Sequence, residues 1–394
     1  MAQPIINFNR ASGGLGRPAS GTDHISGLLF YNAVLPSGFA TDDRIKKIQS
    51  IQDAETLGII EGGTNSVEWY HINECFRINP KCVLYVGIYT PLASQILFDA
   101  HDFNEISLIQ TFADGQVKQI GVFSESWVWS SDVVVAMNTQ AVALATEKRG
   151  LSVLWSPNYS ATVDITVLPT TRVASKYVSV LIGQDGANVG SALAISKGFS
   201  VGCIGLAIGV LSKSAVHESI GYVGKFNVVT GAEMDVPAFS NGQLVKDISN
   251  TALDTLDDNG FVFLKKYTDF IGTYFQFGNT AIATTSDFAT IENNRVIEKA
   301  IRLTNANLLP LLNSPLTVSD SGTLTEPTIA TFESYASKGI EQMERDGELS
   351  GSQVVINPAQ DVLSSSKIEI TLKLIPRGVA KVIEVSIGFA TSLN

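Results

Sequence analysis

The sequence predicts an α/β protein: a mostly parallel sheet covered by helices in the N-terminal and middle region, followed by an α+β C-terminal part with extended terminal arms. Three observations carry this. Between residues 26 and 156, strand-like and helix-like runs alternate, the order that builds parallel sheets with helices on both faces. Two of those strands, VLYVGIY and LSVLW, are almost continuously apolar, as strands covered on both faces must be. From residue 256 the pattern changes to strands, two long helices and two closing strands.

Residues 1–22 are polar and glycine-rich, with one short apolar alternation, PIINFNR; they read as an extended arm. Strands are expected at GLLFYNAV, KCVLYVGIY, KQIGVFS and GLSVLWS, and helices at Asp43–Leu57, Ser66–Ile78, Asn104–Ala113 and Ser131–Lys148. Residues 157–171, holding Pro157 and Pro169, form an excursion. VSVLIG is a further strand, QDGANVG a loop, and Ser191–Leu211 a helix. Glycines 198, 202, 205 and 209 suit close packing of that helix on a sheet. The apolar run Gly198–Leu211 is shorter than the roughly 20 residues a membrane span needs. Residues 212–258 supply a short apolar segment, GYVGKFNVV, and turns at Asp235–Pro237 and Asn241–Gly242.

The C-terminal part opens with strands at Asn259–Tyr267 and Gly272–Phe277. A long helix follows, capped by Ser286 or Asp287 and ended or kinked by Pro310, with Ile297, Ala300, Ile301, Leu308, Leu311 and Leu312 at helical spacing. A second helix runs from Thr328 to Arg345 and stops at Gly347. Strands KIEITLKLIP and AKVIEVSIGFA close the chain. The expected division is therefore 1–22 arm, 23–255 α/β, 256–380 α+β and 381–394 strand arm.

Composition excludes more than it identifies. Apolar residues make 45% of the 394 and charged residues only 16%, which suits a protein that hides surface in an assembly. A net charge of −11 with no basic run argues against nucleic acid as a partner. The three cysteines lack metal-binding spacing and read as reduced, buried thiols. Met1–Arg10 lacks the basic start and apolar run of a signal peptide, and no membrane insertion is expected. Candidate chemistry fails on spacing throughout. No lysine follows Gly190, so the phosphate-binding pattern after VSVLIG is broken, and no G-x-G-x-x-G is present. Asp254, Asp257 and Asp258 lack the calcium-loop spacing. Asp185, His217 and Ser240 form a triad in order only. Glu292 and Glu298 are six apart and share no helix face, and Arg295 and Lys299 read as their intrahelical partners. No cofactor, metal or catalytic residue is expected, and the chain reads as a non-enzyme.

Three C-terminal stretches resemble one known family. NNRVIEKAIR, GELSGSQVVINPAQD and ITLKLIPRGVAKVIEVSIGF resemble, in that order, a helix, a turn-strand and a closing hairpin of contractile tail sheath proteins. KIQSIQDAETLGI is similar to an early helix of that family. GGLGRPASGTDHISGLLFY resembles the start of a divergent sheath-like group from Mu-like phages and phages of Bacteroidetes. Arg377-Gly378-Val379 departs from the family pattern, replacing its second proline region.

The resemblance implies a structural subunit that polymerises helically around an inner tail tube and contracts, in a virion tail or injection particle assembled in the host cytoplasm. It implies partners in further copies of itself, the tube protein, and baseplate and terminator proteins. Subunits of that family are linked by strands exchanged through their termini. Here Ile5, Ile6 and Phe8 would supply one arm. Ile383, Val385, Ile387 and Phe389, alternating with Glu384, Ser386 and Gly388, would supply the other. The helix Glu333–Glu348 is the candidate tube contact, through Glu333, Lys338, Glu341, Glu344 and Arg345. The rival is a Rossmann-like enzyme or binding protein with a ligand crevice at the strand C-termini.

Overall fold

The computed structural model describes residues 21–229 and 231–389. The first half runs β1 (Ile25–Tyr31), β2 (Ile45–Ile48), α1 (Ile51–Thr56), α2 (Ser66–Ile78), β3 (Val83–Tyr89), α3 (Gln95–Asp99), α4 (Asn104–Phe112), β4 (Gln119–Ser124), α5 (Ser131–Thr146) and β5 (Ser152–Ser156). There follow β6 (Val178–Leu181), β7 (Gly183–Asp185), α6 (Val189–Lys197), α7 (Ile204–Lys213), β8 (Pro237–Phe239), α8 (Asn250–Asp258) and β9 (Phe261–Val262). The last part holds β10 (Leu264–Tyr267), β11 (Phe270–Phe275), α9 (Ile291–Leu308), α10 (Glu326–Arg345), β12 (Leu349–Ile356), α11 (Val362–Ser365) and β13 (Ile370–Pro376).

Seven strands form the main sheet in the order β2-β3-β1-β4-β5-β6-β9. All neighbours are parallel except β2, which runs antiparallel on β3. One core lies on each face. Leu29, Ile120, Val153 and Trp155 point to the face covered by α4 and α5. Leu28, Leu84, Val86 and Leu154 point to the face covered by α2 and α7. All eight are fully buried. Glycine sets how closely α7 approaches α2: a Cβ on Gly205 would stand 2.0 Å from the carbonyl oxygen of His71, and one on Gly209 would stand 2.9 Å from that of Cys75. So these glycines seat α7 on a helix as well as on the sheet. Among the described residues no helix is long and apolar enough to cross a membrane.

Several expectations are corrected. The helix expected over Asp43–Leu57 is split, with β2 taking its first part. Ile45 and Ile48 are three apart, which fits a helix face. In the strand that spacing instead sends one to each side of the sheet, and the two sit in opposite cores. The helix expected over Ser191–Leu211 breaks into α6 and α7, because Gly198 and Gly202 both adopt left-handed backbone (φ 76° and 70°). The long C-terminal helix is capped by Thr290, whose side chain accepts from the Asn293 N–H, rather than by Ser286 or Asp287. The division expected at residue 256 falls inside α8, and β9 pairs with β6 as part of the main sheet.

The C-terminal part has only small cores. Val296 and Ala300 of α9, Ile340 and Met343 of α10, and Leu349 form one with Val216. Leu324, Ile356 and Val362 form another. Gly339 lets α10 lie against α9, since a Cβ there would stand 2.7 Å from that of Leu303.

Candidate assembly surfaces

The hairpin β12–β13 is antiparallel from Ile356↔Ile370 to Leu349↔Pro376 and forms a sheet of two strands. Each strand therefore has one edge whose N–H and C=O groups meet no neighbouring strand among the described residues. Pro376, lacking an N–H, stands where the ladder stops. Beyond it, residues 377–389 run on without helix or strand. Residues 380–389 of the expected strand AKVIEVSIGFA thus pair with no strand among the described residues. Its apolar side chains are uncovered: Ile383 is 77% exposed, Val385 73%, Ile387 92%, and Phe389 wholly so. The other expected arm, Ile5, Ile6 and Phe8, lies outside the described residues.

The root of the C-terminal segment is held. Arg377 Nε donates to the Gly347 carbonyl (2.7 Å). Lys381 pairs with Asp257 at 2.6 Å and stands 4.4 Å from the centre of the Phe277 ring. Between this root and the body lies a cleft of about 820 Å³ lined by His217, Tyr222, Tyr267, Phe277, Val379 and Lys381.

Helix α9 carries a second constellation. Of the expected apolar stripe only Ala300 is buried: Ile297, Leu308 and Leu311 are half-buried and Ile301 and Leu312 exposed, while Glu292, Arg295 and Glu298 are buried with Val296. Nor are Arg295 and Lys299 intrahelical partners of the glutamates. The Arg295 guanidinium reaches the C-terminal end of α7, donating to Leu211 O (3.0 Å), Ser214 O (3.2 Å), Ser214 Oγ (2.7 Å) and Ala215 O (3.3 Å). Leu211 lies in the last turn of α7, whose carbonyls a helix end leaves without intrahelical partners. Glu298 accepts from the Tyr177 hydroxyl at 2.6 Å and faces Gly150, where a Cβ would overlap it. The Glu292 carboxylate is buried without a hydrogen-bond partner, and burial pushes its pKa up to about 7.

Lys299 bridges two carboxylates, Asp23 at 2.8 Å and Glu348 at 2.6 Å, and Arg302 also reaches Asp23 at 3.2 Å. Burial pushes the Asp23 carboxyl up, but Lys299, with Arg295 and Arg302, overrides it and holds the pKa below the usual range. Burial lowers Lys299 in turn, and its two carboxylates more than restore it. Sequence reasoning missed this cluster; the available signal was a helix whose charges recur at core spacing.

The residues proposed on α10 do not share one environment. Lys338, Glu341 and Arg345 are exposed, whereas Glu333 and Glu344 are half-buried, and Glu344 accepts from Ser352 on β12. His101, Asp102 and Glu105 also form a cluster that histidine spacing alone does not reveal, since it holds a single histidine. His101 Nε2 lies 2.8 Å from Glu105, whose hydrogen bond raises the imidazole pKa.

Some groups that the enzyme reading would offer a ligand are bonded within the chain. At the carboxyl end of β1, Asn32 donates to the buried Glu68 at 2.6 Å. The first N–H groups of α6, which a phosphate would need, are taken by Asp185 (from Asn188 and Ser191) and by Glu233 (from Val189).

The family model described as DUF2586, N-terminal domain, matches residues 3–279, and that described as DUF2586, C-terminal domain, matches residues 287–394. The chain belongs to the DUF2586 family. Its two matches meet between β11 and α9, beyond the last strand of the main sheet. No curated protein matches it in sequence. Among solved structures, this DUF2586 chain is similar to the contracted helical sheath of the anti-feeding prophage (TM-score 0.64, 15% identity, 99% of both chains). It is similar to the contracted PVC sheath of an extracellular contractile injection system (0.61, 13%, 99% of this chain and 98% of that one). It is also similar to the sheath tail protein of Desulfitobacterium hafniense (0.54, 10%, 95% and 100%). At these identities the likeness establishes the fold, and the DUF2586 fold is the sheath fold over nearly its whole length.

Proposed function

We propose that the protein is the structural subunit of a contractile sheath, polymerising helically around an inner tube and contracting to drive it through a target envelope. The reading is supported most by one observation: an alternating apolar segment, exposed and unpaired, leaves a hairpin whose own edges are unpaired, on a chain with the fold of sheath subunits. Large exposed apolar runs mark surfaces that a partner covers, and an extended segment beside a free strand edge is covered by strand addition. A donated strand of about six residues makes roughly six backbone hydrogen bonds worth a net ~0.5–1.5 kcal/mol each. Ordering it costs roughly 1–2 kcal/mol per residue. The balance is near zero, so burial of Ile383, Val385, Ile387 and Phe389 decides it, and repetition along a helical array makes the sum strong.

On this reading the arms are residues 1–22 and 381–394, the body ends near residue 280, and the remainder faces the tube. Lys338, Glu341 and Arg345 on the exposed face of α10 contact the tube; baseplate and terminator proteins meet the sheath's two ends. The particle is a tail or injection machine assembled in the host cytoplasm. The subunit catalyses nothing, and contraction draws on energy stored in assembly.

Negative-stain electron microscopy tests this with full-length protein beside a chain lacking Ile383–Asn394. Hollow helical tubes from the first and none from the second are expected. If both remain small under varied salt and with a candidate tube protein, the reading is overturned.

A further inference from the structure

Residues 21–24, just before β1, and the root of the C-terminal segment are fastened to one turn. Residues 21–24 are pinned by the Asp23 side chain to Lys299 and Arg302, by the Asp23 carbonyl to Gln119 Nε2 (3.2 Å) and by the His24 carbonyl to Cys82 Sγ (3.4 Å). Lys299 carries the connection to Glu348. The neighbouring residue, Gly347, holds left-handed backbone (φ 73°) and gives its carbonyl to Arg377. A continuous path, Asp23–Lys299–Glu348–Gly347–Arg377, thus joins the two places where the terminal segments depart.

We propose that Lys299, through Asp23 and Glu348, is a positioning residue that fixes the two arm roots relative to each other, so that a subunit presents both arms at a set separation and direction. The proposal rests on the arm-exchange reading above and adds a requirement to it. Flexible roots would give each arm a wide choice of landing sites; fixed roots select the copy at one lattice position. Partial burial makes the bridge suited to this: the side chains of Asp23, Lys299 and Glu348 are 22%, 18% and 7% exposed, so water and salt screen it poorly. Glu348 is the less replaceable carboxylate, because its second oxygen is already buried without a partner.

The test measures geometry and assembly separately. Spin labels at Gly21→Cys and Val379→Cys report the separation of the two roots in the unassembled chain, and the native cysteines are buried. Lys299→Met is compared with wild type, and Asp23→Asn serves as the milder variant if Lys299→Met fails to fold. A narrow distance distribution in wild type, at least about twofold broader in the variant, is expected. Tube yield should fall about tenfold or more, since a small loss repeats at every subunit. Unchanged distances in a folded variant overturn the proposal. So does a wild-type distribution that is already broad. If wild type forms no tubes, the arm-exchange reading fails while the distance result still decides whether the bridge sets the roots.

Discussion

The main sheet and the C-terminal hairpin solve the same problem differently. Both expose strand edges, but strands β1 and β5 of the sheet are buried at every position while β13 alternates. In the sheet, helices cover the two faces, and the outermost strand β2 carries Lys46 and Lys47, charges that discourage another strand from pairing. In the hairpin, both edges are open, the supporting core is a few residues, and the chain continues into uncovered Ile, Val and Phe. The described body buries its apolar strands within one chain. On the proposed sheath reading, the C-terminal part is covered only when another copy is added.

The contrast can be broken first in the body. Trp155→Ala removes a fully buried indole from the centre of the sheet and is expected to cost about 3–5 kcal/mol in chemical denaturation. A loss below about 1 kcal/mol would show that the body is far looser than described.

A second test uses pH, because the two regions titrate with opposite sign. Burial lowers the His71 pKa from 6.5 to about 3, so the unfolded chain binds a proton that the fold refuses. Stability is lost as pH falls below 6.5. Burial raises Glu292 from 4.5 to about 7, so the fold holds a proton that the unfolded chain releases. Stability is lost as pH rises from 4.5 through 7. Glu292→Gln should therefore gain up to roughly 3 kcal/mol at pH 8, little at pH 4, and flatten the alkaline limb. His71→Gln should flatten the acid limb even though its absolute stability drops. Urea midpoints across pH 4–9 read both.

In the hairpin, Val354→Ala should cost about 1 kcal/mol or less, since the side chain is half-buried against a small core. Smallest of all, Phe389→Asp should leave the unfolding of the isolated chain within about 0.5 kcal/mol. Tube assembly, followed by light scattering, should nonetheless be lost. A large effect on the isolated chain would mean that the segment folds back on its own body.

Most of the body was legible in the sequence because its signals are local. VLYVGIY and LSVLW are strands, and the expected helices Ser66–Ile78 and Ser131–Lys148 are present, the second ending at Thr146. What escaped depended on distance. Ile45 and Ile48 look helical until a sheet stands between two cores. Gly198 and Gly202 break a helix only because the backbone must turn there. The buried charges of α9 have partners at Asp23, Tyr177 and Leu211, far away in the chain, and no periodicity reveals such partners. The sheath-like C-terminal order was legible as a resemblance, but the bridge from Asp23 through Lys299 to Glu348 was not.

An arm that leaves one copy and lands on the next makes a head-to-tail contact, which does not close on itself as a two-fold contact does. On the proposed arm-exchange reading, every copy that joins brings one more unclaimed edge and one more unclaimed arm. Growth therefore ends only when the supply of copies runs out or when a different protein covers the last edge. On that reading the length of the finished object is not written in this chain and would be measured out by another.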